Sequence, residues 1–559
     1  MDKEFSGAQP ATPVQQWRAA RAQLAAAIHA FSAISAAISP SDFGIASPTL
    51  DLDPSLDKLD IEEELRALGA EAKKLDDACT LLKVQRNGSW QMVPINRLSE
   101  DILIRIFATV IAWDDLSCET IVDTVTGRKK SGSVFVLSSV SVAWRYIVTN
   151  TSSFWTHLDV NVSSTTYFFP KRTELYLERI KDAPADLHVT STVYNDGLPI
   201  AHTIPEFLTY RTVTSLFIES FNQVHAEALV EAWLNSSHAY QLHSLRVIVI
   251  RAPYASRSTH LIDISGLPHI STLRFSGIGI NGTGMSWNKA TGLTGFTDLD
   301  LSDLDIDSSP SMEQLQVILL SNPELRILRL SKIESYVPIE SYHTTPQITI
   351  NLPRLQFLGI GRLPWYSITV LLRIITPGPE FTCLNIGYPG FADEGLDLLE
   401  AFCSRHKVQI LSLDIPIHHE QNLAIFVRSL KGLHTLNLSN LSLDTNALPD
   451  ILSDRSECID TDATTNDFPH IQMLRFSKCT ILASVLKRMV VTHPIRWLRL
   501  DSCAVFESRR EFTTLWGNHP PATVPGPLVD WLSSEVQELH IGNANNQASR
   551  GLPWWLQPV

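Results

Sequence analysis

Apolar positions change their period along this chain, and the change divides it. Leu56, Leu59, Leu65, Leu68, Ala72, Leu75, Ala78, Leu81 and Leu82 recur mostly at three- and four-residue steps, with Glu62, Glu63, Glu64, Lys73 and Lys74 among them. That spacing predicts a helix of about four heptads, packed on its neighbour or self-associating as a short coiled coil. Gly69 weakens it by ~1 kcal/mol relative to Ala. Pro94 stops this helix, and Ser99 is placed to cap the next, with Glu100 and Asp101 in its first turn. There Ile102, Leu103, Ile106, Phe107 and Val110 share a face. Residues 112–134 break the pattern with Asp114-Asp115, Gly127-Arg128-Lys129-Lys130 and Gly132 and read as a loop. A further short helix carries Val136, Leu137, Val140, Trp144 and Ile147, and Phe154, Trp155 and Leu158 follow it.

From about residue 181 the pattern becomes a six-residue frame, apolar-x-x-Leu-x-apolar. It runs from Val213-x-x-Leu216-x-Ile218 to Val536-x-x-Leu539-x-Ile541, and Leu187-His188-Val189 is a candidate start. The central leucines are Leu216, Leu245, Leu273, Leu299, Leu328, Leu358, Leu384, Leu411, Leu436, Leu474, Leu498 and Leu539. Their steps are 24 to 30 residues, except 38 from Leu436 to Leu474 and 41 from Leu498 to Leu539. The long steps hold an acidic run near Glu457–Asp467 and a Pro-rich stretch near Pro520–Pro527. Helical spacing falls between frames at Ala226–Leu234, Met312–Leu320, Ile368–Ile375, Gly395–Cys403, Asn422–Leu430 and Ala483–Val491. A strand and a helix repeated at such a period give a stacked α/β solenoid, a curved parallel sheet with helices on the convex side.

Composition narrows the function. At 559 residues the chain exceeds one compact core. The net charge of −14 argues against general nucleic-acid binding. Seven cysteines with no CxxC pair argue against a disulfide framework or a zinc site, and favour a reducing compartment, cytoplasmic or nuclear. The Ala-rich segment Gln15–Ile38 carries Trp17, Arg18, Arg21 and His29, which fits a surface helix or a weakly ordered arm and no membrane span. Gly277-x-Gly279-x-x-Gly282 lacks a following helix and reads as a loop. His418-His419-Glu420 lacks HExxH spacing, and no GxSxG or Walker sequence occurs. The chain is expected to be no enzyme and to need no cofactor or metal.

Residues 94–158 resemble an F-box, and the whole chain resembles an F-box protein with a C-terminal leucine-rich-repeat domain. The helix before the box and the ending at Phe154-Trp155 resemble the variant abundant in fungi. The chain departs from the family at Ser99, where Pro is usual, at Ser141, where Cys is usual, and in an insert of about twenty residues between the box helices. The repeats depart too. Three residues past the last apolar position, where Asn or Cys is typical, stand Phe221, Ile278, Leu304, Ile333, Leu363 and Leu441, with Cys479 and Cys503 in two turns only. An apolar residue there packs inward but leaves loop backbone groups to find other partners.

The resemblance implies five segments: an Ala-rich N-terminal segment and linker (1–55), a helix (56–92), the F-box (93–160), the repeats (161–545) and a tail (546–559). It implies a substrate receptor that docks on a Skp-type adaptor, and through it on a cullin-RING ubiquitin ligase. The alternative is a repeat scaffold or interaction protein whose box binds the adaptor weakly or not at all. Adaptor-facing or box-core candidates are Pro94, Ile95, Leu98, Ile102, Leu103, Ile106, Phe107, Val140, Trp144 and Trp155. Strand alternation turns the residue after each central leucine to the concave face, giving Arg246, Arg274, Arg329, Arg475 and Arg499. Arg246 and Arg274 are then neighbours, as are Arg475 and Arg499. Phe357 and Trp497 would add apolar contact. Such pairs suit an acidic or phosphorylated protein substrate, unless Asp298, Asp300 or Asp501 satisfies them. No nucleic acid or membrane partner is expected.

Overall fold

The structure, a computed structural model, describes residues 12–37, 55–88, 94–118, 133–162, 171–191, 212–220, 244–251, 270–276, 287, 293–304, 309–333, 348–387, 394–414, 420–443, 470–493, 495–511 and 524–542. The predicted helix at Ala226–Leu234, the acidic run at 457–467, the glycine motif at 277–282, His418 and His419 lie outside these residues. The chain divides into two units, 1–97 and 98–559.

The first unit holds α1 (Pro13–Ala37), α2 (Ser55–Gly88) and a 3-10 turn at Pro94–Arg97. α1 opens on a reciprocal cap: Gln15 N–H donates to Thr12 Oγ1 at 3.3 Å, and Thr12 N–H donates to Gln15 Oε1 at 2.9 Å. Pro13 at the first helical position loses no bond there. α2 follows the predicted span to within a few residues.

The second unit begins with helices α3 (Glu100–Cys118), α4 (Ser133–Val140) and α5 (Val142–Asn150), then a 3-10 turn at Ser152–Trp155. Ser99 stands just before α3, and its carbonyl accepts from the Ile102 and Leu103 amides. Two expectations are corrected. The loop assigned to 112–134 is helical at both ends, because no Gly or Pro interrupts the chain before Gly127. The single helix expected after it is two. Ser141 is extended (φ −154°, ψ 166°), and its Oγ accepts from the Trp144 amide, so α4 ends and α5 starts there.

Among the described residues, fourteen parallel strands form one sheet in strict chain order, from His157–Val162 to Glu538–Gly542. Cross-strand register stacks Leu158, Leu187, Leu216, Ile248, Leu273, Leu299 and Leu328 into one column. Leu358, Leu384, Leu411, Leu436, Leu474, Leu498 and Leu539 continue it. The column therefore begins at Leu158, inside the segment assigned to the box. Helices at Met312–Leu320, Trp365–Ile374, Glu394–Arg405, Glu420–Ser429 and Ala483–Thr492 match the predicted returns within a turn. The Pro-rich insert conceals a further helix, Gly526–Glu535, with Pro525 as its N-cap and Pro527 in its first turn, where proline costs no hydrogen bond.

The column at Ile248 corrects the frame of that turn. The sequence offers two overlapping frames, centred on Leu245 and on Ile248, and register selects the second, with Leu245 as its buried leading residue.

Six of the strands end in a left-handed corner. Asp303, Lys332, Arg362, Asn440, Lys478 and Ser502 stand four residues past their central leucine, and all take left-handed backbone, with φ between 50° and 58°. The corner amide then donates to the end of the following strand: Asn440 to Ser477 O at 3.0 Å, Lys478 to Asp501 O at 2.8 Å, Ser502 to Gly542 O at 2.8 Å, and Arg362 to Gly387 O. The next residue turns inward, so Leu304, Ile333, Leu363, Leu441, Cys479 and Cys503 are buried. Backbone–backbone bonds thus replace the side-chain bonds that Asn would make.

Candidate functional site

The helical segment separates the box candidates into packed and open residues. Leu103 and Phe107 on α3, with Trp155 beyond α5, are buried. Phe107 meets Trp144 at 4.6 Å and Phe154 at 6.4 Å between ring centroids. Trp155 donates Nε1–H to Val148 O at 2.8 Å and packs edge-on against Tyr176 of α6 (Lys171–Ile180) at 5.0 Å, with Phe135 beside both. Trp155 therefore ties α4 and α5 to α6. These three side chains serve the core of the fold.

Other candidates stay accessible. Ile102 is 46% exposed, and Ile106 and Val110, one and two turns on, extend its stripe along α3. Leu98, Val140 and Trp144 are half-buried, as is Ile95, while Pro94 is exposed; these last two belong to the first unit. Val142 and Tyr146, absent from the sequence-based site, are 69% and 63% exposed at i, i+4 on α5. Ser141 was the signal: a serine N-cap there restarts the helix, and its new phase puts Ile147 and Val148 inside and Val142 and Tyr146 outside. Val136 on α4 is exposed as well.

The second candidate surface is the sheet face opposite the leucine column. The residue after each central position there includes Arg274, Asp300, Arg329, Arg475 and Arg499. Arg246 is not among them. It precedes its strand and is exposed, and Val249 is the neighbour of Arg274.

The first arginine group carries its own counter-charge. Arg274 Nη2 is 2.7 Å from Asp298 Oδ2, and Arg329 Nη1 lies 3.7 Å from Asp298 Oδ1 and 3.8 Å from Asp300 Oδ2. The Arg329 guanidinium also lies 4.8 Å from the ring centroid of Phe357. That ring crosses Gly359, where a Cβ would stand 2.8 Å from it. Phe357 is buried, so it offers no open apolar contact.

Arg475 Nη2 is 2.6 Å and Arg499 Nε 2.8 Å from the same Asp501 Oδ2. Two guanidinium groups thus share one carboxylate. Burial pulls Arg475 below the ordinary arginine range, opposed by Asp501 and reinforced by Arg499. Trp497 precedes Leu498 on the same strand and is 42% exposed. Gly542 on the adjoining strand leaves room for Asp501, since a Cβ there would meet Asp501 Oδ1 at 2.8 Å.

The described thiols are packing groups or plain surface groups. Burial pushes Cys383 and Cys403 up to about 12. Cys479 donates to Ser477 O at 3.3 Å, Cys503 donates to Asp501 O at 3.5 Å, and Cys79 is exposed. Among the described residues no group of three His, Cys, Asp or Glu is placed to hold a metal ion, and no helix is long and apolar enough to cross a membrane. No protein-family model matches the chain, and no curated protein matches it.

Proposed function

We propose that this chain is a non-catalytic substrate receptor of a Skp-cullin-F-box ubiquitin ligase. Residues 93–160 act as the F-box, and the fourteen-strand domain is a leucine-rich repeat that captures a protein substrate. One observation carries the reading: a helical segment with a closed aromatic core keeps large apolar side chains, Ile102, Val110, Val136, Val142 and Tyr146, in water. Holding several such groups in water costs about 1.5–3 kcal/mol each relative to burial, which a docked partner recovers. The buried Trp155–Tyr176 contact supports the division of labour, because it packs the helical segment against α6, which follows the first strand.

On the sheet, the Arg475–Arg499–Asp501 group with Trp497 is the favoured place for an acidic segment of the substrate, since two guanidinium groups stand side by side next to an exposed aromatic ring. The group at Arg274 and Arg329 is matched by Asp298 and Asp300 and is not part of this proposal. Co-expression with a Skp-type adaptor and a cullin tests the receptor reading. Recovery of the intact chain in a three-part complex is expected. Absence of the adaptor from the purified chain contradicts it and leaves a repeat scaffold.

A further inference from the structure

α2 carries a second unpartnered surface, independent of the ligase reading. Leu65, Leu68, Ala72, Leu75, Cys79 and Leu82 recur at alternating three- and four-residue steps, the seam of a coiled coil. All six are exposed, Leu65 to 57%. The residues flanking the seam decide which strand orientation suits it. Glu71 and Ala78 lie on one side, and Gly69, Asp76 and Lys83 on the other.

In a parallel pair, flanking positions five residues apart meet, which sets Glu71 against the partner's Asp76 twice over. Like charges so placed are unfavourable. In an antiparallel pair, each flank meets its own kind: Glu71 faces the partner's Ala78, and Asp76 faces the partner's Gly69. The carboxylates no longer meet. The basic end of α2 (Lys83, Arg86) then runs along the acidic start of the partner helix (Glu62-Glu63-Glu64 in the sequence), and the helix dipoles oppose. The seam closes without gaps in register: Leu65 on the partner's Leu82, Leu68 on the partner's Cys79, Ala72 on the partner's Leu75. α1 is a poorer occupant, because folding back on α2 would bring Arg18 and Arg21 alongside Lys83 and Arg86.

We propose that α2 pairs with α2 of a second copy of this chain as an antiparallel coiled coil, making the protein a dimer. Sedimentation of the full-length chain at micromolar concentration is expected to show a dimer. Leu75→Lys is expected to weaken it by about tenfold or more, the loss of a buried leucine at the least, while Leu24→Lys in α1 leaves it intact. A monomeric parent, or a Leu75→Lys protein that stays dimeric, overturns the proposal. Orientation is read separately. The two Cys79 residues of an antiparallel dimer lie roughly 16 Å apart along the axis, eleven residues at ~1.5 Å each. Mild oxidation is expected to leave the parent uncross-linked and to link Leu68→Cys dimers through Cys79, with the link lost in Leu68→Cys/Cys79→Ser. A parent that cross-links through Cys79 shows a parallel coil and overturns the orientation.

Discussion

Asn322 spends all of its side-chain polar groups on backbone. Its Nδ2 donates to Leu293 O at 2.8 Å and Ile318 O at 2.7 Å, and its Oδ1 accepts from the Phe296 amide at 2.8 Å. It fastens the helix at Met312–Leu320 to the turn before it, and it is buried. Asn322→Leu fills the space but strands those backbone groups, so a loss of about 2–4 kcal/mol is expected in denaturant unfolding. His493 sets a pH limit. Burial, with the nearby His470, pulls it down to about 4. The folded state thus favours the neutral ring. Its stabilising effect is complete above the unfolded value of 6.5 and is lost as pH falls towards 4. Stability is expected to decline between those values by up to about 1.4 kcal/mol per pH unit. Urea titrations at several pH values should show this slope in the parent and a shallower one in His493→Phe. Gly378 is fixed by contact: a Cβ there would run into the Pro353 carbonyl, so Gly378→Ala should cost roughly 1–3 kcal/mol or more.

At the level of elements, the sequence was most legible where one residue type repeats. The leucine frame gave the strands and their order, because a buried parallel column tolerates little but Leu and Ile. The frame failed at Leu245, where two apolar frames overlap and only pairing across the sheet separates them. It also missed the helix at Gly526–Glu535, since prolines that break a helix interior are harmless at its start. The corners were not legible: left-handed Lys332, Arg362, Lys478 and Ser502 carry no glycine or asparagine signal, and the amides of Arg362, Lys478 and Ser502 are satisfied by the following turn. In the helical segment, periodicity named the apolar set but not its division into core and surface, which depends on the phase reset at Ser141. Ser141→Ala is expected to cost ~1 kcal/mol through loss of the cap on α5, read as a lower melting temperature.

The second unit of the molecule presents two faces. One is the apolar surface of α3–α5; the other is the sheet face, where Asp298 and Asp300 lie against Arg274 and Arg329, and Arg475 and Arg499 share Asp501. Arg475→Glu/Arg499→Glu is expected to lower recovery of a bound substrate several-fold, without moving adaptor affinity. The most direct measurement is titration calorimetry of the purified chain with a Skp-type adaptor, repeated with Ile102→Asp and Val142→Asp. Both side chains are exposed, so the variants should melt with the parent. The account predicts saturable binding by the parent and at least about a tenfold loss in each variant. A parent that does not bind, or variants that bind as tightly as the parent, would contradict it.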